Sequence, residues 1–427
     1  MASASLRTRL AVAGMALAVT TSAVVVGTTG VAAASTGSTI PTSAFSNHTG
    51  ITKTEVKLAN VSTLSIGLFK GADVGAQAYA DYVNSTGGVN GRKLVLTDSD
   101  DQFSGSVNKQ ATQEAIDNDF AMVGNFSLED SFGGTLLKAN PDMPDVSVVL
   151  DPATNKLHNV FSAVPLDAGW EEGPLQFIKK QYPNDVHAVG AMVAGLPSSE
   201  TDWAGEKYVM GKAGFKVVYD PTYTVSTTDF TQNVIAMKNA GVKIVFTDSM
   251  AESYAAAFLK DLTQQNFHPV VVLGAATYTD ALVKDSGGAG AVDGDYLEQN
   301  TSLYLGQDAT TVPAVATFLH WVNVASPGFK TDLYTLYAWL STELFAQALK
   351  NAGANPSRGS ELQALSKITT FDGNGIVAPN DPVTKAVGNC YLVAKVVNGQ
   401  FVRADDQPVS GGTHGYRCDY AYVTPPS

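Results

Sequence analysis

The apolar positions of this chain change period repeatedly, and the changes mark out its elements. Ala72, Ala76, Tyr79, Ala80 and Val83 recur at i, i+4, i+7, i+8 and i+11, the stripe of an amphipathic helix. Residues 84–91 stop that helix, because Gly87, Gly88 and Gly91 take positive φ at little cost. Leu94, Val95 and Leu96 then read as a short buried strand that ends in Asp98, Asp100 and Asp101. A helix feeding through a glycine turn into such a strand is half of a βαβ unit.

The alternation continues on both sides of this stretch. Strand runs are predicted at 56–61, 94–96, 120–123 and 146–150, with helices at 75–84, 106–118 and 131–140 between them. A second series begins after Pro165: helix 167–181, strand 186–193, helix 200–212, strand 215–219, helix 230–240, strand 243–247, helix 251–265 and strand 270–273. Continuous Val/Ile/Leu strands alternating with helices predict parallel sheets covered on both faces. Two such series predict two doubly wound α/β lobes. The last third is helical at 312–324, 333–351 and 360–368, with little strand between. It closes on a β-like run at 390–397, an Asn398-Gly399 turn and an apolar 401–403.

The N-terminal residues change the picture by setting a compartment. Arg7 and Arg9 precede the apolar run 10–26, and Ala32-Ala33-Ala34 offers a cleavage site before Ser35, so residues 1–34 read as a secretory signal peptide. Thr20, Thr21, Ser22, Thr28 and Thr29 interrupt the run and disfavour a membrane anchor. No cysteine lies at the cleavage point, so a lipoprotein tether of the usual kind is not expected. The implied place is an extracellular or periplasm-like space. Residues 35–50, rich in Ser, Thr and Gly, read as a flexible lead-in. What remains, roughly 390 residues, exceeds one ordinary core and suits two lobes. The formal charge of −13 disfavours nucleic acid and anionic membranes as partners. Cys390 and Cys418 are the only cysteines, and in an exported chain they read as a disulfide clipping the final hairpin. A redox pair or metal site is disfavoured, since there is no Cys-x-x-Cys and only His414 stands near.

Residues 84–101, Asn-x-x-Gly-Gly-Val-Asn-Gly-Arg-Lys-Leu followed by Asp-Asp, resemble the first helix and second strand of the type I periplasmic binding proteins. That family includes the Leu/Ile/Val-binding proteins of ABC importers. Ala153-Thr154-Asn155 matches the family's Ala-Thr-Asn turn. The resemblance covers nearly all of the chain beyond the leader, most specifically 75–101 and 120–175. It implies a Venus-flytrap fold with three crossings between lobes, near 162–167, 300–304 and 371–382. Segments 51–164 and 302–377 then form the first lobe, and 165–301 and 378–427 the second.

In open α/β sheets, ligands bind beyond the carboxyl ends of the strands. The first lobe offers a loop with Ser62, Thr63, Ser65, Phe69 and Lys70, a loop at 124–131 and a loop at 151–155. The resembled family uses the second of these to hold a ligand carboxylate through a serine, which implies Ser127 or Ser131. By the same resemblance Thr154 is the hydroxyl partner in the third. Each of these hydroxyls equally suits a helix N-cap. From the second lobe, Ser199 and Trp203 stand where the family often has a tyrosine, although Trp203 fits a core as well. Asp248 and Tyr278 lie in the next two loops. Amino-acid binders of the family carry an acid for the ligand's ammonium where this chain has Ala275 and Ala276. A buried ammonium needs a paired charge. Either Asp248 or Asp130 supplies it, or the solute is not an α-amino acid.

Signals for catalysis are poor. No Gly-x-Ser-x-Gly, His-Glu-x-x-His or phosphate-binding Gly-x-x-x-x-Gly-Lys sequence occurs. His48, His158, His187, His268, His320 and His414 are scattered, without metal-ligand spacing. Asp98, Asp100 and Asp101 open like a calcium loop, but Phe103 stands where its glycine is required. Asp372-Gly-Asn-Gly375 reads as a tight turn. No enzyme, cofactor or metal is expected. The expectation is a monomeric, exported solute-binding protein that captures a small polar molecule, an amino acid or related carboxylate or amide, between its lobes. It would deliver the solute to an ABC permease and its ATPase subunits. An extracellular sensor without transport is the alternative, and a secreted hydrolase the more remote one.

Overall fold

The computed structural model describes residues 40–65, 69–166, 169–247, 250–404 and 414–425. The leader expected at 1–34 and Asp248 lie outside the described residues. In chain order the first elements are β1 (Glu55–Ser62), α1 (Gly71–Ser85), β2 (Lys93–Asp100), α2 (Gly105–Asn118), β3 (Ala121–Val123), α3 (Asp130–Ala139), β4 (Asp145–Val146), α4 (Pro152–Asn155) and β5 (Val160–Phe161). These five strands form one parallel sheet in the order β2-β1-β3-β4-β5.

The chain continues with β6 (Trp170–Glu171), α5 (Glu172–Gln181), β7 (Val189–Ala191), β8 (Val193–Ala194), α6 (Pro197–Ala213), β9 (Val217–Tyr219), β10 (Thr222–Tyr223), α7 (Thr231–Asn239), β11 (Ile244–Phe246), α8 (Glu252–Gln264), β12 (Val270–Leu273), α9 (Leu282–Asp285) and β13 (Tyr296–Gln299). Then come α10 (Asp308–Thr311), α11 (Pro313–Ala325), α12 (Leu333–Ala352), α13 (Arg358–Leu365), β14 (Leu392–Val397), β15 (Gln400–Arg403) and β16 (Tyr422–Val423). The second sheet runs β15-β14-β13-β12-β11-β7-β9, parallel except at the two antiparallel pairings of β14. Two short ladders, β8 with β10 and β6 with β16, lie outside the large sheets.

The predicted alternation is present, and packing explains where it holds best. β3 is buried at every residue, as a central strand covered on both faces must be. α1 turns its Ala72, Ala76, Tyr79 and Val83 stripe inward against α12. A Cβ on Gly75 would stand 2.0 Å from the carbonyl oxygen of Thr335, so the two helices meet backbone to backbone there. One turn on, the Tyr79 and Trp339 rings meet edge to face at 4.8 Å. α12, late in the chain, therefore belongs to the packing of the first sheet.

β13 is the main element that periodicity missed. Its sequence, Tyr-Leu-Glu-Gln, is half polar, yet all four residues are buried because β12 and β14 flank it. The helix predicted from 167 starts at Glu172 instead. Pro174 is tolerated only in a first turn, and Trp170-Glu171 before it pair with β16 as a strand. Residues 40–50, expected within a flexible lead-in, are packed: Ala44 is fully buried and His48 Nδ1 lies 2.9 Å from the Pro356 carbonyl.

Three passages join the sheets, and hydrogen bonds tie them to one another. Ser162 N–H donates to the Pro382 carbonyl, Ala378 N–H to the Asn300 carbonyl at 2.7 Å, and the Asn380 side chain to the Ala163 carbonyl at 3.0 Å. The chain ends against this junction. Cys390 and Cys418 form a disulfide, as the sequence predicts, and Tyr391 pairs beside it with Arg417.

Candidate functional site

At the carboxyl ends of the first sheet, each loop is held by a carboxylate. Asp100 accepts the N–H groups of Leu64, Ser65 and Gln102 at 2.9–3.2 Å. Burial works against its charge, but these bonds outweigh it and hold the carboxyl below the usual range. Asp101 accepts the Phe103 N–H, the Asn108 amide at 3.1 Å and the Ser127 hydroxyl. Asp130, at the start of α3, accepts the N–H groups of Leu150 and Asp151. Burial nevertheless pushes Asp130 up to about 7. Asp151 caps α4 through the N–H and hydroxyl of Thr154. The acidic strand end noticed in the sequence is thus a loop-bracing system, and no cluster of metal-ligating groups occurs among the described residues.

This wiring determines where the expected ligand contacts stand. Ser127 is buried, gives its proton to Asp101 and accepts from Asn108, Thr63 and the Glu129 N–H. Thr154 is buried under α3, where a Cβ on Gly134 would meet its hydroxyl. Ser131 is exposed at the start of α3. Phe69 packs on Phe126 and Tyr334, each with ring centroids 4.7 Å away. Trp203 is buried in the core of the second sheet, its indole N–H donating to Asp220 at 2.9 Å. Tyr278 is fully buried between Tyr304 and Phe401 and accepts the Leu305 N–H. Ser199 lies in the first turn of α6, half-buried.

None of these seven described residues lines a partly open cavity that other described residues form. That cavity, of ≈ 140 Å³, sits where the three passages converge. Tyr337 of α12 closes it from the first sheet's side. Ala275, Glu298 and Gln299 come from the second sheet's side, and Pro165, Leu166, Gly169, Asn300 and Val387 from the passages and their ends. Trp170 and Glu171 of β6 form one wall, with Tyr391 and Tyr422 from the disulfide-pinned C-terminal segment beside them.

Local sequence explains how these rings reach the site. Asp332 caps α12 by accepting the Thr335 N–H at 2.8 Å, which fixes Tyr334 and Tyr337 at its start. Phe126 backs Tyr337 at 6.3 Å and is itself backed by Phe69. A Cβ on Gly173 would lie 1.9 Å from a ring carbon of Tyr391, so that ring needs glycine beneath it. Burial pushes Glu171 up to about 7, and its own backbone N–H is the one influence drawing it back. Gln299 donates to the Ser302 carbonyl at 3.0 Å, while its buried Oε1 takes no hydrogen bond. The arrangement can bind a small molecule of about benzene's bulk.

Comparison with known proteins places the architecture. A family model described as a periplasmic binding protein matches residues 58–400. A Leu/Ile/Val-binding protein homolog of Brucella suis is 26% identical over 295 residues, covering 66% of this chain and 73% of that protein. The structure of a branched-chain amino acid ABC transporter protein from Thermus thermophilus with bound valine superposes with a TM-score of 0.71 at 14% identity, over 85% of this chain and 98% of that one. A fatty acid ABC transporter substrate-binding protein from Thermomonospora curvata superposes with a TM-score of 0.68 at 15% identity, over 89% and 95%.

Proposed function

Because the chain belongs to the periplasmic binding protein family, we propose that it is an exported solute-binding protein, monomeric, that captures a small molecule between two lobes and presents it to an ABC importer. The observation that carries this reading is the position of the cavity. Its walls come from the second sheet's side, from the three passages and their ends, and from Tyr337 of α12 on the first sheet's side, so a change in the angle between the sheets moves Tyr337 against the rest. Solute that touches both sides binds the closed form more tightly than the open one, and that difference in affinity drives closure. The closed form is then the shape a permease distinguishes from the empty one.

The names of the relatives support a transported solute and leave its chemistry open, since one neighbour holds valine and another is a fatty acid protein. Within this reading the cavity wall makes the solute contacts. Ser127 and Thr154 organise the loops behind it, and neither touches solute unless its hydroxyl leaves Asp101 or Asp151. Binding occurs without turnover. Among the described residues no helix is long and apolar enough to cross a membrane. Export rests on the residues 1–34.

A thermal-shift screen over amino acids, amides, amines, organic acids and fatty acids tests the reading, since a ligand of the folded state raises apparent stability. A hit should also shrink the radius of gyration in solution scattering. If no solute class shifts the melting temperature and none compacts the protein, the solute-binding reading is lost.

A further inference from the structure

The cavity has a chemical bias that family membership does not explain. Among its described lining residues are two carboxylates, Glu171 and Glu298, and no lysine, arginine or histidine. The Glu171 carboxylate is half-buried and has no basic partner among the described residues, which leaves it open to a cationic one. Around these acceptors stand Trp170, Tyr337 and Tyr422, whose ring faces attract cations. Ala275, on the second sheet's side, brings no charge.

The loops of the first sheet, which do not line the cavity, offer no alternative seat for a carboxylate. An incoming carboxylate needs hydroxyl or N–H donors, yet Ser127 and Thr154 both give their protons to aspartates. The loops that would receive it carry Asp100, Asp101, Asp130 and Asp151. A ligand anion would meet like charge and spent donors there.

We propose that the solute is a compact organic cation lacking a carboxylate, its ammonium seated against Glu171 and its apolar body against the surrounding rings. This deepens the solute-binding reading and rests on it. Glu171 is then the residue that sets specificity.

Isothermal titration of the oxidised full-length protein separates the possibilities. The probes are isopentylamine, tetramethylammonium, 3-methylbutanol, 3-methylbutanoate and leucine. Isopentylamine and tetramethylammonium should bind, 3-methylbutanol at least tenfold more weakly than the amine, and 3-methylbutanoate and leucine not measurably. Glu171→Gln should weaken both cations at least tenfold and leave the alcohol unchanged, with Glu171→Asp in between. The wild-type series decides the matter by itself if a variant fails to fold. The cation assignment is overturned if 3-methylbutanoate, leucine or the alcohol binds as tightly as the amine, or if Glu171→Gln keeps full amine affinity. In those cases the solute-binding reading stands. Silence from every probe overturns the cation assignment as well, and the broader thermal-shift screen then decides the solute-binding reading on its own.

Discussion

Oγ1 of Thr154 lies 2.7 Å from Oδ2 of Asp151, the same oxygen that accepts the Thr154 N–H at 2.8 Å. One carboxylate oxygen thus satisfies both donors of the residue and starts α4. Thr154→Val keeps the bulk and removes the hydroxyl, and should cost about 1–2 kcal/mol of stability in urea unfolding, with Thr154→Ser close to wild type. Solute affinity should stay within a few-fold. A large affinity loss with stability intact would instead make Thr154 a ligand contact.

Arg358 is buried and donates to three backbone carbonyls, of Ile116 at 2.7 Å, Asp119 at 2.5 Å and Phe120 at 3.2 Å, with Asp142 at 3.8 Å. The planar fork reaches all of them at once, which a lysine ammonium cannot do. Arg358→Met should destabilise by about 3 kcal/mol or more, and Arg358→Lys should recover less than half of that. Chemical denaturation reads both, and wild-type stability in the lysine variant would contradict the account.

Several buried carboxyls give the protein an acidic stability optimum. Burial pushes Asp145 and Glu343 up to about 7, and Glu361, whose carboxylate oxygens have no hydrogen-bond partner, well above its ordinary 4.5. An acid raised in the folded state gives stability that is complete below its unfolded pKa and is lost as pH rises through the folded value. Each such group therefore removes up to about 1.4 kcal/mol per pH unit between roughly pH 4.5 and 7. Urea midpoints should fall from pH 5 to pH 8, and Glu361→Gln should fall less steeply. Parallel curves for variant and wild type would show that Glu361 does not titrate in this way.

The Cys390–Cys418 bridge closes a loop with a sequence separation of 28. In the chain-entropy model its loss costs about 3–4 kcal/mol. The double serine variant should show that loss by chemical denaturation without reductant. It should also bind solute more weakly, because Tyr391 and Tyr422 flank the bridge. Unchanged stability would mean the C-terminal segment holds without it.

Much of the scaffold was legible because its strands are the kind that periodicity finds. β1, β3, β11 and β12 are apolar runs between helices with clear stripes. Ala275, which the sequence placed at the family's ammonium position, does line the cavity, but most of its other walls were not legible, for a physical reason: they break the local rules of their elements. Glu298 and Gln299 are polar in a central strand, which hid β13. Trp170 and Glu171 looked like the start of a helix, although Pro174 already limited how far that helix reached back. Tyr337 sits in a helix that the sequence marks well, yet nothing local says that its start faces an opening. Ser127 and Thr154 were found by loop position, which is sound for locating sheet ends. Thr154 is held by Asp151 of its own loop, whereas the acid that holds Ser127, Asp101, comes from a neighbouring loop, a relation that only the fold creates.

The cavity also imposes an order in time. Its walls are taken from residues as far apart in the chain as Pro165 and Tyr422, and the later ones follow a disulfide that needs Cys418. A chain crossing a membrane N-terminus first can assemble β1 to β5 early, but it has no complete binding wall until Tyr422 has emerged and the cysteines have joined. On the proposed function, solute binding then certifies finished translocation and oxidation. A molecule clipped after Arg403 would keep the strands of both large sheets and lack Tyr422 from the cavity wall.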